Sequence, residues 1–161
     1  MFEEETKVQV TKEIVLERYK FIIEKQKYLD SLLHKNMDFY LKVITAIMGI
    51  FFSSASIYKN KPEIISLDSL TLMLELTSIL TIFVSSVILL MTASIACSWF
   101  DYRKDEVKIL DQVDGSYKRE MPKKRNFWLW HESIFAFALS IIIGFFVFVI
   151  CNVEYFIGLV K

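Results

Sequence analysis

The chain has little that breaks a helix or crosslinks one: 161 residues contain 4 glycines, 2 prolines and 2 cysteines. So few breakers favour long, uninterrupted helices. Two cysteines exclude a disulfide-rich scaffold. Cys97 and Cys151 fall at opposite ends of different apolar stretches, too far apart for one bridge, and are expected to be free, buried thiols. The histidines are His34 and His131, and no Cys, His or carboxylate cluster has metal-ligand spacing. There is also no phosphate-cradling glycine loop and no nucleophile–base pair, so neither an enzyme nor a cofactor is expected. With 19 Lys/Arg against 19 Asp/Glu, net charge is +0. Binding to nucleic acid or to an anionic surface must therefore rest on local clusters.

Long charge-free apolar runs dominate what remains: 43–58, 76–100 and 133–153, each ending at an ionisable residue. At the helical rise they extend about 24, 37 and 31 Å, against about 30 Å of bilayer hydrocarbon. The first run is completed by Lys42, whose stem can stay in lipid while its ammonium reaches the interface. The expected fold is an all-α membrane protein with three transmembrane helices. Orientation follows from the cations. Seven Lys/Arg precede Phe39 and eight lie between Asp101 and Glu132, whereas the first link carries only Lys59 and Lys61, and the tail Lys161. The positive-inside rule then places the N-terminus inside and the C-terminus outside a multi-pass inner (plasma) membrane protein. Phe39, Tyr40, Trp99, Tyr102, Phe127, Trp128 and Trp130 mark the inner boundary; Tyr58, Tyr155 and Phe156 mark the outer one. Glu3, Glu4 and Glu5, with no apolar core before Phe39, are unlike a cleavable signal.

The organisation reads as a cytoplasmic amphipathic helix over 1–38, spans over 39–58 and 70–100 joined by an outer link at 59–69, a cytoplasmic helical segment at 101–126, a third span at 127–153 and an outer tail at 154–161. In the first of these, Val15, Tyr19, Ile22, Leu29, Leu33, Met37 and Tyr40 repeat at helical intervals. The stripe meets no breaker before the first span, so the two are expected to form one rod, with Gln26 interrupting the stripe. Pro62 predicts a tight outer hairpin, after which Asp68 or Ser69 starts the second span. Asp114-Gly115 is expected to end the helix continuing from that span, and Phe127 to open the third.

The second span is rich in hydroxyls. Thr71, Ser78, Ser85 and Thr92 recur every seven residues, flanked by Thr81 and Ser86, and Glu75 shares their face near the outer end. Glu75, Ser78, Ser85 and Thr92 are candidate pore-lining residues; the alternative is interhelical packing, with Glu75 a hydrated interfacial carboxylate near a helix N-terminus. Thr45, Gly49 and Ser53 in the first span, and Ala136, Ser140 and Gly144 in the third, have the four-residue spacing of close-packing seams.

The densest positive charge is Lys118, Arg119, Lys123, Lys124 and Arg125, followed by Phe127, Trp128 and Trp130. It serves as positive-inside anchoring and attraction to membrane lipid headgroups. The same chemistry makes Lys123, Lys124, Arg125 and Trp128 a candidate site for an anionic ligand, with Arg18 and Lys25 on the N-terminal helix as a second surface. Arg125 and His131 have the arginine-x5-histidine spacing of a superfamily of metal-independent ribonucleases, but at a membrane boundary crowded with aromatics, and no catalytic role is assigned. His34 is expected to partner Asp30 one turn earlier.

The charged, aromatic-bearing helix from Glu17 to Lys35, the Ser/Gly-bearing span pair and the helix after the second span resemble the SLATT group of bacterial membrane effectors and the small channel partners of nucleotidyltransferase-containing antiphage systems such as Hailong. The resemblance is architectural and covers roughly 13–113; the third span is additional. It implies a homo-oligomeric pore gated by a cytoplasmic nucleotide or oligonucleotide, with a cytoplasmic nucleotidyltransferase in the same system. The functional expectation is an oligomeric ion channel or pore-forming effector gated from the cytoplasm. The alternative is a non-conducting anchor or regulatory subunit that docks a cytoplasmic partner.

Overall fold

Long helices follow from the scarcity of breakers, and the computed structural model contains them. It describes residues 2–61, 63–113, 120 and 130–158, with side chains from residue 13 onward and excluding those of 112 and 113. Helix α1 runs unbroken from Phe2 to Asn60, α2 from Leu67 to Val113, α3 from His131 to Cys151, and a short α4 from Val153 to Gly158. No strand occurs among the described residues. At its 59 residues α1 is about 88 Å long, far more than one bilayer needs. The amphipathic N-terminal helix and the first span are therefore one continuous rod.

Local chemistry sets the boundaries. The hairpin turns through Lys61, whose N–H bonds the Ile57 carbonyl at 2.7 Å and whose own carbonyl accepts from Ile64 N–H at 3.1 Å. Ser66 then caps α2, its Oγ accepting the Ser69 N–H at 3.2 Å, and Asp68 complements the helix dipole in the first turn. The start is earlier than Asp68 or Ser69 because the capping hydroxyl precedes them. Pro62, Asp114, Gly115 and Phe127 lie outside the described residues, and the third helix as described begins at His131.

In sequence, the third span extends to 153 and a tail follows. The chain instead breaks at Asn152, with φ −131° and ψ 37°. Its N–H bonds the Val149 carbonyl at 3.1 Å and its Nδ2 bonds the Phe148 carbonyl at 2.9 Å, satisfying carbonyls that a helix end orphans. Its own carbonyl accepts from Tyr155 and Phe156 N–H at 3.1 and 3.3 Å, which opens α4.

Helix α2 is the central element, packed along α1 on one side and α3 on the other. Buried clusters succeed one another along the bundle. At the hairpin end Leu70, Leu74 and Val149 close over Ile157 of α4. Tyr40, Ile88 and Leu139 form the middle layer, and Leu29, Leu33 and Ile95 the layer at the opposite, charged end, with Phe135 touching both. Ile22, Leu29, Leu33 and Tyr40 of the predicted stripe are buried, and Val15, Tyr19 and Met37 half-buried.

The outward faces are apolar along the spans, with Phe52, Phe83, Leu90 and Phe137 each more than 60% exposed. The total surface of 11719 Å² compares with about 8300 Å² for a globular chain of 18.9 kDa. Large apolar side chains exposed along all three long helices suit lipid rather than water. Helices α1, α2 and α3 are each long and apolar enough to cross a membrane, as a multi-pass membrane protein requires. Cys97 and Cys151 are free, as expected, but exposed rather than buried, because both lie on outward helix faces.

Candidate functional site

Hydroxyls every seven residues on a helix share one face. On α2 that face turns into the protomer: Ser78, Thr81 and Ser85 are 0% exposed and Thr92 is 1% exposed. Most of these hydroxyls are satisfied locally. Ser78 Oγ donates to the Leu74 carbonyl at 2.7 Å, Thr92 Oγ1 to the Ile88 carbonyl at 2.9 Å and Thr71 Oγ1 to the Leu67 carbonyl at 2.9 Å. Ser85 Oγ instead shares a 2.9 Å hydrogen bond with Tyr40 Oη of α1. Thr81 Oγ1 is buried without a partner. Of the two readings open for this stripe, the geometry of the single chain carries interhelical packing; Ser78, Ser85 and Thr92 reach no outer face. Glu75 is half-buried near the hairpin end and has no ion-pair partner among the described residues.

A different polar stripe does reach the surface. Lys35, Asp38, Lys42, Thr45, Gly49 and Ser53 follow at three- and four-residue intervals on α1, and all are exposed. A Cβ added at Gly49 would meet nothing within 4 Å, so this face has no partner inside the protomer. The same is true at Gly144 of α3. Neither small-residue run is therefore a seam within one chain at its glycine.

The depth of the α1 stripe follows from α3. At 21 residues α3 is about 31 Å long, one hydrocarbon thickness. Leu139 lies eight residues after His131, roughly 12 Å inside the charged end of α3. Tyr40 packs against Leu139 and makes an edge-to-face contact with Phe135 at 6.1 Å between centroids. Asp38 and Lys42, two residues either side of Tyr40, consequently sit at the depth where α3 presents exposed Phe137 and Ile141. A lysine stem can carry its charge several ångströms toward water, but an aspartate cannot. A short carboxylate at that depth calls for water or a polar partner. In the sequence Thr45, Gly49 and Ser53 read as a small-residue run and Lys42 as the residue that completes the first span; the face they share with Lys35 and Asp38 was the available signal.

Beyond the spans, the charged end of α1 packs antiparallel to that of α2. Glu106 is 0% exposed, receives Arg103 Nη1 at 2.5 Å and lies 3.3 Å from Gln26 Nε2 of α1, which donates to it. Gln26, which interrupts the apolar stripe, is thus a ligand for a buried carboxylate. Of the anion-site candidates, Arg18 faces Asp105 at 3.9 Å, and Lys25 Nζ lies 5.3 Å from the Phe21 ring centroid and 5.8 Å from that of Tyr28. Lys123, Lys124, Arg125 and Trp128 lie outside the described residues. His34 Nδ1 meets the backbone carbonyl of Asp30 at 2.7 Å, not its carboxylate. Comparison with protein-family models, curated proteins and solved structures finds no match for this chain.

Proposed function

We propose that the chain is the subunit of an oligomeric ion channel or pore in a bacterial inner membrane, with the exposed polar face of α1 lining the path. The observation that carries this reading is the exposed run Lys35, Asp38, Lys42, Thr45, Gly49 and Ser53 on α1, in which Asp38 and Lys42 lie level with the apolar Phe137 and Ile141 of α3. Ionisable groups inside a bilayer face a bundle interior or a water-filled cavity, and three spans enclose no wide cavity alone. Several copies arranged with α1 innermost would supply one, with α2 behind it and α3 toward lipid. The α2 hydroxyls then serve packing within each subunit, Ser85 through its bond to Tyr40 of α1, rather than lining the path. The positive-inside rule places the paired charged extensions of α1 and α2 in the cytoplasm, where a gating ligand or partner would act. Arg18 and Lys25 already have intramolecular contacts, so anion binding would centre on Lys123, Lys124 and Arg125.

Planar-bilayer conductance of the purified protein, with its oligomeric mass in detergent, tests the proposal. Discrete currents from an oligomer, altered in selectivity by Asp38→Asn and Lys42→Gln, are expected. A strict monomer without current would remove the channel reading in favour of a membrane anchor for a cytoplasmic partner.

A further inference from the structure

Two cavities at the charged end of the bundle share Glu132. One, of about 270 Å³, lies between Asp30 of α1, Trp99 of α2, and Trp130, His131 and Glu132 at the start of α3. The other, of about 280 Å³, follows the α2–α3 groove from Glu132 to Ser140 over a floor of Ala93, Ala96 and Ala136. We propose that together they bind a phospholipid with a primary-ammonium headgroup, phosphatidylethanolamine, in the leaflet at this end. The ammonium would occupy the first cavity and one acyl chain the second.

The chemistry changes along this path as a phospholipid's does. In the first cavity, two tryptophans and the acidic residues Asp30 and Glu132 combine the groups that attract an organic cation. Trp99 and Trp130 stand edge to face with centroids 5.1 Å apart, which fixes the aromatic wall. Glu132 lies in the first turn of α3, where the helix dipole favours a negative charge. A headgroup bearing only negative charge would meet repulsion here. Deeper in, the groove has hydroxyls but offers few free donors. Thr92 Oγ1 already donates to the Ile88 carbonyl and Ser140 Oγ to the Ala136 carbonyl, both at 2.9 Å. Such a wall suits a hydrocarbon chain better than a file of water. The groove follows α3 for eight residues, roughly 12 Å, close to the depth of one leaflet. At the junction, Ser133 Oγ is buried without a hydrogen-bond partner, and on rotating into the groove it would find an ester oxygen.

Bromolipid quenching tests this with the full chain carrying Trp128→Phe in phosphatidylcholine vesicles, so that the remaining tryptophans, Trp99 and Trp130, report on the site. Acyl-brominated phosphatidylethanolamine should quench tryptophan at a mole fraction roughly three-fold lower than brominated phosphatidylglycerol, the scale of one partly exposed ion pair. The near-isosteric pair Asp30→Asn and Glu132→Gln should bring the two lipids level. Ala136→Phe, which fills the groove, should also remove the preference. Equal quenching by both lipids in the Trp128→Phe parent would overturn the proposal, as would a preference that survives the Asn/Gln pair. Displacement of the brominated lipid by millimolar aqueous ethanolamine would replace the lipid with a soluble amine. None of these readouts depends on conduction.

Discussion

Tyr40 Oη and Ser85 Oγ lie 2.9 Å apart, a hydrogen bond between α1 and α2 buried in the layer that also contains Leu139. Ser85 is 0% exposed there, so its hydroxyl holds two helices of one chain together. Tyr40→Phe and Ser85→Ala should each lower thermal stability in detergent, with a coupling near 0.6 kcal/mol, the average for hydrogen bonds between membrane helices. A double-mutant cycle measures that coupling. Ser85→Leu should cost about 1–3 kcal/mol by overpacking, and its loss of folded protein should precede any effect on current.

The buried carboxylate of Glu106 depends on Arg103, which is 13% exposed at its side chain, and on Gln26 of α1. Arg103→Met removes the ion-pair partner of that buried carboxylate and should destabilise by about 3 kcal/mol. Replacing both partners, Arg103→Met with Glu106→Leu, should recover most of the loss, because the desolvated charge goes with its partner. Thermal unfolding of the single and double variants distinguishes these outcomes. Near-additive losses would mean that the pair is not the unit.

On the α1 face, Lys42→Glu should move the reversal potential in an asymmetric salt gradient toward cation selectivity, since the site changes sign at a narrow point of the path. Thr45→Leu should reduce conductance by drying the wall one turn further on, while leaving the oligomer intact. Selectivity and conductance unchanged by both variants would place the path elsewhere.

The helices and their buried stripe were legible because periodicity reports directly on burial: Ile22, Leu29, Leu33 and Tyr40 recur at helical spacing and are inside. Facing was not legible. The α2 hydroxyls form a stripe in the sequence whether they meet water or a neighbouring helix, and only the positions of α1 and α3 decide between the two. Depth was equally hidden. Lys42 completes the first apolar run in the sequence, and the packing of Tyr40 on Leu139 is what brings Asp38 and Lys42 level with Phe137 and Ile141 of α3. The break at Asn152 has no local signature, because the apolar run continues on both sides of it to Val153 and one polar side chain does not by itself end a helix. The pocket at Trp99, Trp130 and Glu132 is assembled from separate helices, and no local pattern encodes it.

Topology governs every functional statement above, and it can be settled by labelling. The proposed arrangement puts the hairpin outside and the charged extension of α2 inside, because eight Lys/Arg between Asp101 and Glu132 resist translocation more strongly than Lys59 and Lys61. Cys97 and Cys151 are both exposed on the helix surfaces, so they should first be replaced by alanine to remove background. Asn60 and Asp111 are exposed positions on opposite sides of the spans. A cysteine introduced by Asn60→Cys should react with an impermeant maleimide in intact spheroplasts, whereas one introduced by Asp111→Cys should react only after lysis. The reverse pattern would put the aromatic and acidic pocket at Glu132 in the outer leaflet. It would also turn the charged extensions, and any ligand they recognise, toward the outside of the cell.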